Sequence, residues 1–396
     1  MKIAHLISHY PLPFVGGAEA CVHHLAHWQT KKGHEVKVIA PVEGRLPSLD
    51  YEVLPLGKLS ARLAVYPIFR EAFVRQLKAY QDRYGFDLWQ VTMGFPFGVA
   101  AVDFFNKARI PCVLRCSGED IQVEPSIGYG QRLNRRSDSL IRSKYPKFDG
   151  FISIVESITK EYLGLGIPKE KIYFIPNGVN KRLFEPHVDR QAIAARFGID
   201  PKKKIILTVG RYNPKNKKKG LQFIPDIIKR LAASRDDFVW LLIGHKNSVI
   251  KDMAARKGVG RFLISDEIRA RPEQDEELLF PAKELAELYK SADIFALPSL
   301  IEGCSNVITE AMAAGAPVVT TDAVGIRDMV EHEKTALMCK RGDIDGLAGA
   351  IERLLDDAGL RERLRKNGLA QTAGLDWPDV ADRYLEAYEQ VIRNKG

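Results

Sequence analysis

Two glutamates, Glu302 and Glu310, open and close the first part of the stretch "EGCSNVITEAMAAGAPVVTT" (302–321). Glu302 sits in a small-residue loop, and Glu310 in the short apolar segment that follows. Carboxylates accept hydrogen bonds from hydroxyl groups, so a pair beside one loop could grip a polyol. The preceding run "IFALPS" reads as a buried strand ending at Pro298 and Ser299. Ser305 or Asn306 is placed to cap a helix, which Gly315 and Pro317 then stop. Ile308, Ala311, Met312 and Gly315 fall on one face of that helix, suited to packing on a sheet. Glu310 lies off this face, and helical side chains lean towards the N-terminus. Its carboxylate is therefore expected to tilt towards the loop of Glu302. The mouth between them is a helix N-terminus, whose free N–H groups and partial positive charge suit an anion. A phosphorylated polyol such as a sugar nucleotide fits the arrangement. Taken alone, two solvated acids at a helix end would look the same.

Two other stretches weigh against that plainer reading. In "TVGRYNPKNKKKGL" (208–221) a strand ends at Gly210, and Arg211 follows in the loop before a helix beginning near Gly220. An arginine at a strand's carboxyl end, with a lysine nearby, is a natural clamp for a diphosphate. In "YPLPFVGGAE" (10–19), Gly16 and Gly17 would let backbone N–H groups approach a phosphate, with Glu19 at the start of the next helix. The latter stretch is not a G-x-G-x-x-G fingerprint, and an ordinary flexible loop would read similarly.

These residues need elements to hold them. A chain of 396 residues exceeds what one hydrophobic core usually serves, and its composition is that of a soluble globular protein. In the first half, the apolar runs "KIAHLIS", "EVKVIAP", "EVLPL", "DLWQVT", "PCVLRC", "GFISIV" and "IYFIPN" are continuous rather than alternating. They read as strands of a parallel sheet buried on both faces, with helical patterns between them. A second series follows: "KKIILTVG", "FVWLLIG", "RFLIS", "IFALPS", "PVVTT" and "ALMCK". The polar stretch "LFEPHVDRQAIAARFGIDPKKK" between the series carries Pro186 and Pro201 and suits a linker with a short helix. The expectation is an α/β protein of two doubly wound domains, residues 1–186 and 187–372, facing across one cleft. The amphipathic tail within 373–396, apolar at Val380, Tyr384, Tyr388 and Val391, reads as a closing helix.

With those elements in place, the chain resembles retaining glycosyltransferase family 4. The 302–321 stretch is similar to that family's E-x7-E motif and the "EAMA-x-G-x-PVV" that follows it. "VGRYNPKNKKKG" looks like its donor-phosphate loop, "IPNGVNKRLF" like its "PNGVD-x-x-x-F" signature, and "ELAELYKSADIFALPS" like its lead into the motif. The resemblance covers nearly the whole chain and is weakest between about 45 and 150. It implies a GT-B fold, two Rossmann-like domains with the donor held mainly by the second and the last helix crossing back to the first. It also implies roles: Glu302 on the donor sugar hydroxyls, Glu310 on the ribose, and backbone groups of Gly303, Cys304, Ser305 and Asn306 at the sugar or diphosphate. Arg211 and a lysine would neutralise the departing phosphate. The family places that lysine directly before the glycine, which selects Lys219; the loop is about two residues longer here, so Lys217 and Lys218 stay open. Many relatives carry a histidine after the fifth strand. Here "VLRCSGEDIQ" places Ser117 there, followed by Gly118, Glu119 and Asp120. A serine can position a sugar hydroxyl but is no equivalent proton carrier. Ser117, Glu119 and Asp120 are the candidates on the acceptor and sugar side.

No residue stands out as a covalent nucleophile, in keeping with the front-face mechanism proposed for retaining members of the family. No metal or other cofactor is expected. His23 and His27, one helical turn apart in "HHLAH", lack a third ligand and read as ordinary helix histidines. Five cysteines in no C-x2-C pair, mostly in apolar surroundings, suggest free thiols in a reducing, cytoplasmic setting. The N-terminus makes a poor signal peptide and a good first strand, and the apolar zone at 86–105 is too interrupted for a membrane span. The net charge of +9, from 59 basic and 50 acidic residues, favours an anionic partner. Basic residues interleave with apolar ones at 59–85 (Arg62, Arg70, Arg75, Lys78, Arg83) and at 131–147 (Arg132, Arg135, Arg136, Arg142, Lys144, Lys147). Such a surface suits peripheral contact with the inner face of a membrane carrying a lipid-linked acceptor, and solvated basic helices would read alike. No stacking platform for nucleic acid is present. The expected partners are a nucleotide sugar and a glycan, glycolipid or small-molecule acceptor, in envelope polysaccharide or glycoconjugate synthesis. The rival readings are a sugar-nucleotide epimerase, a glycoside hydrolase using the two glutamates, and a catalytically silent nucleotide-sugar sensor.

Overall fold

A computed structural model of the chain describes residues 1–12, 16–42, 46–57, 64–214, 217–268 and 278–396, apart from the side chain of Ile68. The chain divides into two compact units. The first comprises Met1–Gly178 and Trp377–Gly396, joined among the described residues by Leu278, and the second comprises the remainder.

In the first unit the strands are β1 (Lys2–Ile7), β2 (Glu35–Ala40), β3 (Glu52–Pro55), β4 (Leu88–Thr92), β5 (Cys112–Arg115), β6 (Gly150–Ser153) and β7 (Ile172–Phe174). They form one sheet in the order β3-β2-β1-β4-β5-β6-β7, every described pair parallel. Helices α1 (Gly17–Lys31), α2 (Pro67–Tyr84), α3 (Phe97–Lys107), α4 (Arg135–Lys144) and α5 (Glu156–Gly164) make the crossovers. All five residues of β4 are buried, as a strand covered by helices on both faces requires. Local signals set the helix ends. Pro67 occupies the first turn of α2, and Gly85 ends it in the left-handed region at φ +62°.

The second unit repeats the plan. Its strands are β8 (Lys204–Val209), β9 (Phe238–Ile243), β10 (Leu263–Asp266), β11 (Ile294–Leu297), β12 (Val318–Thr321) and β13 (Ala336–Cys339). They lie in the order β10-β9-β8-β11-β12-β13, again parallel. The helices are α6 (Arg190–Arg196), α7 (Ile224–Leu231), α8 (Ser248–Arg256), α9 (Lys283–Ser291), α10 (Asn306–Ala313), α11 (Ile344–Asp356) and α12 (Ala358–Gln371). Leu207, Leu241, Phe295 and Val318 enter the core on one face, and Ile206, Trp240, Leu242 and Val319 the core on the other. All thirteen apolar runs read as strands in the sequence are strands in these two sheets.

The strand order decides where a ligand can sit. In each sheet the chain runs outward in one direction and then returns to start again beside its first strand. The loops leaving the two central strands therefore diverge and open a crevice at the carboxyl edge. In the second unit those central strands are β8 and β11. They feed the loop carrying Arg211 and Lys219 and the loop carrying Glu302.

The chain leaves the first unit between Gly178 and Val179. Val179 donates its N–H to the Leu375 carbonyl at 2.7 Å and is buried with Phe184 in the second unit's core. The last helix, α13 (Trp377–Lys395), belongs to the first unit, as the family resemblance implied. Its buried face includes Trp377, Val380, Tyr384, Tyr388 and Val391. Gly150 of β6 accommodates this helix, because a β-carbon there would lie 2.5 Å from Val391 Cγ2. The five cysteines are thiols in no disulfide, with Cys21, Cys112 and Cys116 buried and Cys304 and Cys339 half-buried. Among the described residues, no helix is long and apolar enough to cross a membrane.

Candidate functional site

In the second unit the loops after β8 and β11 are fastened to each other. Leu300 donates its N–H to the Lys218 carbonyl at 2.7 Å. Gly220, at φ +64°, lies so close to the Pro298 carbonyl that a β-carbon would stand 1.7 Å from its oxygen. From the other side Glu302 donates its N–H to the Val324 carbonyl at 3.0 Å. Asn247, almost fully buried, fixes the start of the β8 loop. Its Oδ1 accepts the Tyr212 N–H at 3.1 Å, and its Nδ2 donates to the Gly210 carbonyl at 2.9 Å. These bonds hold the two loops in one arrangement.

Within it, the Lys219 ammonium donates to both oxygens of Glu302, at 2.7 and 2.9 Å. Ser299, fully buried, donates its hydroxyl to Glu302 Oε1 at 2.7 Å. The Glu302 side chain is 7% exposed and that of Lys219 24%. Of the three lysines left open by the sequence, Lys219 is the one whose ammonium reaches Glu302. Lys217 is exposed at φ +47°, and Lys218 turns its carbonyl to Leu300. Arg211 is exposed, directly after Gly210. Lys215 and Asn216 of the same loop lie outside the described residues.

Glu310, on α10, is half-buried and accepts the Tyr289 phenol at Oε2, 2.8 Å away. Burial pushes its carboxyl up to about 7, against the opposing pull of the Tyr289 hydrogen bond and the Lys219 charge. Lys219 thus acts on both glutamates, one by direct contact and the other through its field. Ile308, Ala311 and Met312 pack inward as their spacing implied. The expected cap of α10 is not made. Ser305 occupies the N-cap position, but its hydroxyl is buried with no hydrogen-bond partner among the described residues, and its N–H faces Met329 Sδ at 3.2 Å. The Ser305 hydroxyl thus supplies no acceptor to the first turn of α10 and stands buried beside its mouth. Gly303 is buried in the same loop, with Cys304 and Asn306 half-buried.

In the first unit, Gly16 is the extended N-cap of α1. The Glu19 carboxylate folds back over it, so that a β-carbon on Gly16 would lie 2.8 Å from Glu19 Oε2. The helix mouth beside Gly16 and Gly17 is thereby flanked by an acid. Residues 13–15 of this loop lie outside the described residues.

The loop after β5 is rigid. Asp120 is fully buried, and its two oxygens accept the N–H groups of Ser117, Gly118 and Gly94 at 2.9, 3.1 and 2.9 Å. The sequence reading placed Asp120 beside the acceptor. The structure corrects this, since a buried carboxylate spent on three backbone donors shapes the loop rather than touching a ligand. Ser117 and Glu119 are half-buried. Behind Ser117 lies Arg115, 1% exposed. Its guanidinium donates to Ser117 Oγ at 2.9 Å, to Asn177 Oδ1 at 2.5 Å, and to the Tyr384 hydroxyl of α13 at 3.0 Å. A guanidinium can only donate, so the Ser117 hydroxyl spends a lone pair inward and keeps its own proton for another acceptor.

His23 Nδ1 accepts the Tyr51 hydroxyl at 2.6 Å, while its Nε2 donates to the Leu278 carbonyl at 2.5 Å. His27 pairs with Asp50 at 2.9 Å. Both histidines are engaged within the fold. Of the basic residues singled out, Arg132 and Arg142 pair with Asp138, and Lys144 and Lys147 with Asp103. Arg135 and Arg136 are exposed, Arg136 lying 4.9 Å over the ring of exposed Tyr66. Arg62 lies outside the described residues.

Arg115, Asn247, Ser299 and Tyr289 were not singled out in the sequence. Only Arg115 left a signal, a cation inside an otherwise apolar strand. Asn247 and Tyr289 are ordinary polar residues whose partners are distant in the chain, and Ser299, three residues before Glu302, reads only as a strand end.

Comparison with known proteins adds to this geometry. Residues 15–183 match the family model described as Glycosyltransferase Family 4, and residues 189–371 that described as Glycosyl transferases group 1. A Nocardia farcinica protein named D-inositol 3-phosphate glycosyltransferase is 30% identical over 243 residues, 57% of this chain and 49% of that protein. The match thus spans about half the length of that relative. A Bacillus anthracis protein named N-acetyl-alpha-D-glucosaminyl L-malate synthase is 25% identical over 409 residues, 100% of this chain and 98% of that one. The crystal structure of Anabaena HepE in complex with UDP-glucose has the same fold, with a TM-score of 0.74 at 20% identity and coverage of 100% and 99%. Two parallel sheets in the same strand order, two family matches that follow one another along the chain, and a last helix returned to the first unit lead to one assignment: the chain belongs to the GT-B glycosyltransferases of the family 4 type.

Proposed function

We propose that the protein transfers a sugar, with retention of anomeric configuration, from a nucleoside diphosphate sugar to an acceptor hydroxyl. The observation that carries this reading is the convergence of Glu302, Lys219, Glu310 and the mouth of α10 at the carboxyl edge between β8 and β11. In it Glu310 accepts the ribose hydroxyls and Glu302 those of the sugar. Arg211 and Lys219 meet the diphosphate, and backbone groups of Gly303 to Asn306 line the approach. Negative charge grows on the diphosphate as the glycosidic bond breaks, and fixed cations there lower the barrier. The leaving phosphate then assists the incoming hydroxyl on the same face. Gly16 and Gly17 approach the phosphates, and Ser117 donates to an oxygen of the sugar.

The donor is a UDP- or GDP-sugar, a reading supported by the UDP-glucose complex of the Anabaena fold relative. The names of the two sequence relatives, an inositol phosphate and a malate enzyme, support a hydroxylated acceptor bearing an anion. The net charge of +9 agrees with that and with peripheral contact at the inner face of a membrane through Arg135 and Arg136. The test is a thermal-shift screen of nucleoside diphosphate sugars, followed by nucleotide release with and without inositol phosphate, malate or envelope glycolipid. Release that depends on an acceptor supports transfer. Isomerised donor would point to an epimerase instead, and no stabilisation by any nucleotide sugar would end the reading.

A further inference from the structure

Tyr289 has no part in the reading so far, yet it makes a direct hydrogen bond to Glu310. It is fully buried in α9, its ring 5.6 Å from that of Phe295 and 6.3 Å from that of Phe184. Packed this way, the phenol cannot swing away, and it stands 2.8 Å from Glu310 Oε2. Burial, reinforced by the neighbouring carboxylate, holds the Tyr289 proton in place well beyond the usual range. The phenol is therefore a permanent donor.

A vicinal diol brings two O–H donors and needs a partner that only accepts. An ionised carboxylate does so, whereas a protonated one spends one oxygen on its own proton. Besides Tyr289 from α9, the group acting on Glu310 is the Lys219 ammonium from the β8 loop, itself held by Glu302. We propose that Tyr289 is a positioning residue for nucleotide binding: its phenol fixes Oε2 of Glu310 and keeps the carboxylate in its accepting form for the ribose diol. This rests on the assignment of Glu310 to the ribose.

The experiment is calorimetric titration with UDP from about pH 5.5 to about 8.5, for the wild type, Tyr289→Phe, Glu310→Gln and the double variant. Titration of the UDP phosphate is common to all four, so differences between profiles belong to the protein. Wild-type affinity should fall as the pH drops below about 7. Tyr289→Phe should bind about tenfold more weakly near neutrality, the effect of one hydrogen bond to a charged acceptor. It should recover as the pH rises, because loss of the phenol moves the Glu310 transition upward. Merely structural damage would lower affinity by one factor at every pH. Glu310→Gln should bind weakly throughout and lack the acidic limb. The double variant should bind like Glu310→Gln alone, and it leaves no buried partner stranded should the single variant fail to fold. An unshifted limb in Tyr289→Phe, or a double variant weaker than Glu310→Gln by the full single-variant factor, would overturn the proposal. Full affinity in Glu310→Gln would overturn the ribose assignment itself.

Discussion

The pairing of Lys219 with Glu302 makes an asymmetric prediction about two substitutions at one contact. In the unliganded protein the ammonium is already satisfied by a carboxylate at 2.7 and 2.9 Å. If a diphosphate is to use Lys219, it must compete with Glu302. At about 3 Å and an effective dielectric constant of about 20, the gross attraction is about 5 kcal/mol. Desolvation and the 24% exposure of Lys219 return most of it, leaving about 1 kcal/mol of net pairing. Glu302→Gln releases that competition and should tighten UDP about fivefold, while loss of the proposed sugar contact should collapse turnover. Lys219→Met should weaken UDP about tenfold or more by loss of a charge-assisted hydrogen bond, and reduce kcat by about two to three orders of magnitude. The assay is calorimetric titration of each variant with UDP beside steady-state transfer kinetics. If Glu302→Gln weakened UDP as much as Lys219→Met does, the glutamate would be orienting the lysine rather than competing for it, and the reasoning would fail.

Other consequences are direct. Gly220→Ala places a β-carbon 1.7 Å from the Pro298 oxygen at φ +64°, and should cost at least about 2 kcal/mol, seen as a lower urea midpoint. Asp120→Ala strips three backbone donors of their acceptor and should lower stability by about 3 kcal/mol by the same measure. Ser117→Ala should reduce kcat/KM and, because it strips the buried Arg115 guanidinium of one acceptor, should also lower stability by about 1 to 2 kcal/mol. Glu310 titrates near 7 in the folded protein against about 4.5 when unfolded, so the folded state holds the extra proton between those values. Its contribution is fully present below about pH 4.5 and lost as the pH rises through about 7, up to about 3 kcal/mol in all. Denaturant titrations at several pH values should show that component in the wild type and not in Glu310→Gln.

The fold was legible because parallel strands covered on both faces must be continuous apolar runs, and every such run became a strand. The helix α13 was legible for a similar reason, since Val380, Tyr384, Tyr388 and Val391 keep helical spacing. Its destination came from the family resemblance, because the partners that hold it, Gly150 and Arg115, are far away in sequence. At the site, Glu302, Glu310 and the lysine run were visible as charge in unusual company. Asp120 misled for the same reason, since a carboxylate in a glycine loop looks alike whether it meets a ligand or three backbone N–H groups. Ser305 misled because N-cap preference concerns residue type, whereas the packing against Met329 that turns its N–H elsewhere is tertiary.

The residues assigned to the ligand share one design. Behind Glu302 stands Ser299, behind Glu310 Tyr289, and behind Ser117 Arg115. Each of these three partners is buried to within 1% and can give a hydrogen bond only from its fixed position. Each therefore occupies one lone pair of the group in front, and on Glu302 the Lys219 ammonium takes others at 2.7 and 2.9 Å. A polar group held this way loses little conformational freedom when it meets a ligand, so more of the contact energy is available for binding or for the transition state. The cost falls on the fold, which must bury a serine, a phenol and a guanidinium with their partners satisfied. For Arg115 that satisfaction draws on Asn177, beside the point where the chain leaves the first unit, and on Tyr384 of the helix that returns to it. The return of α13 thus serves more than apolar burial: without the Tyr384 hydroxyl, a donor of the buried cation behind Ser117 would lose its acceptor.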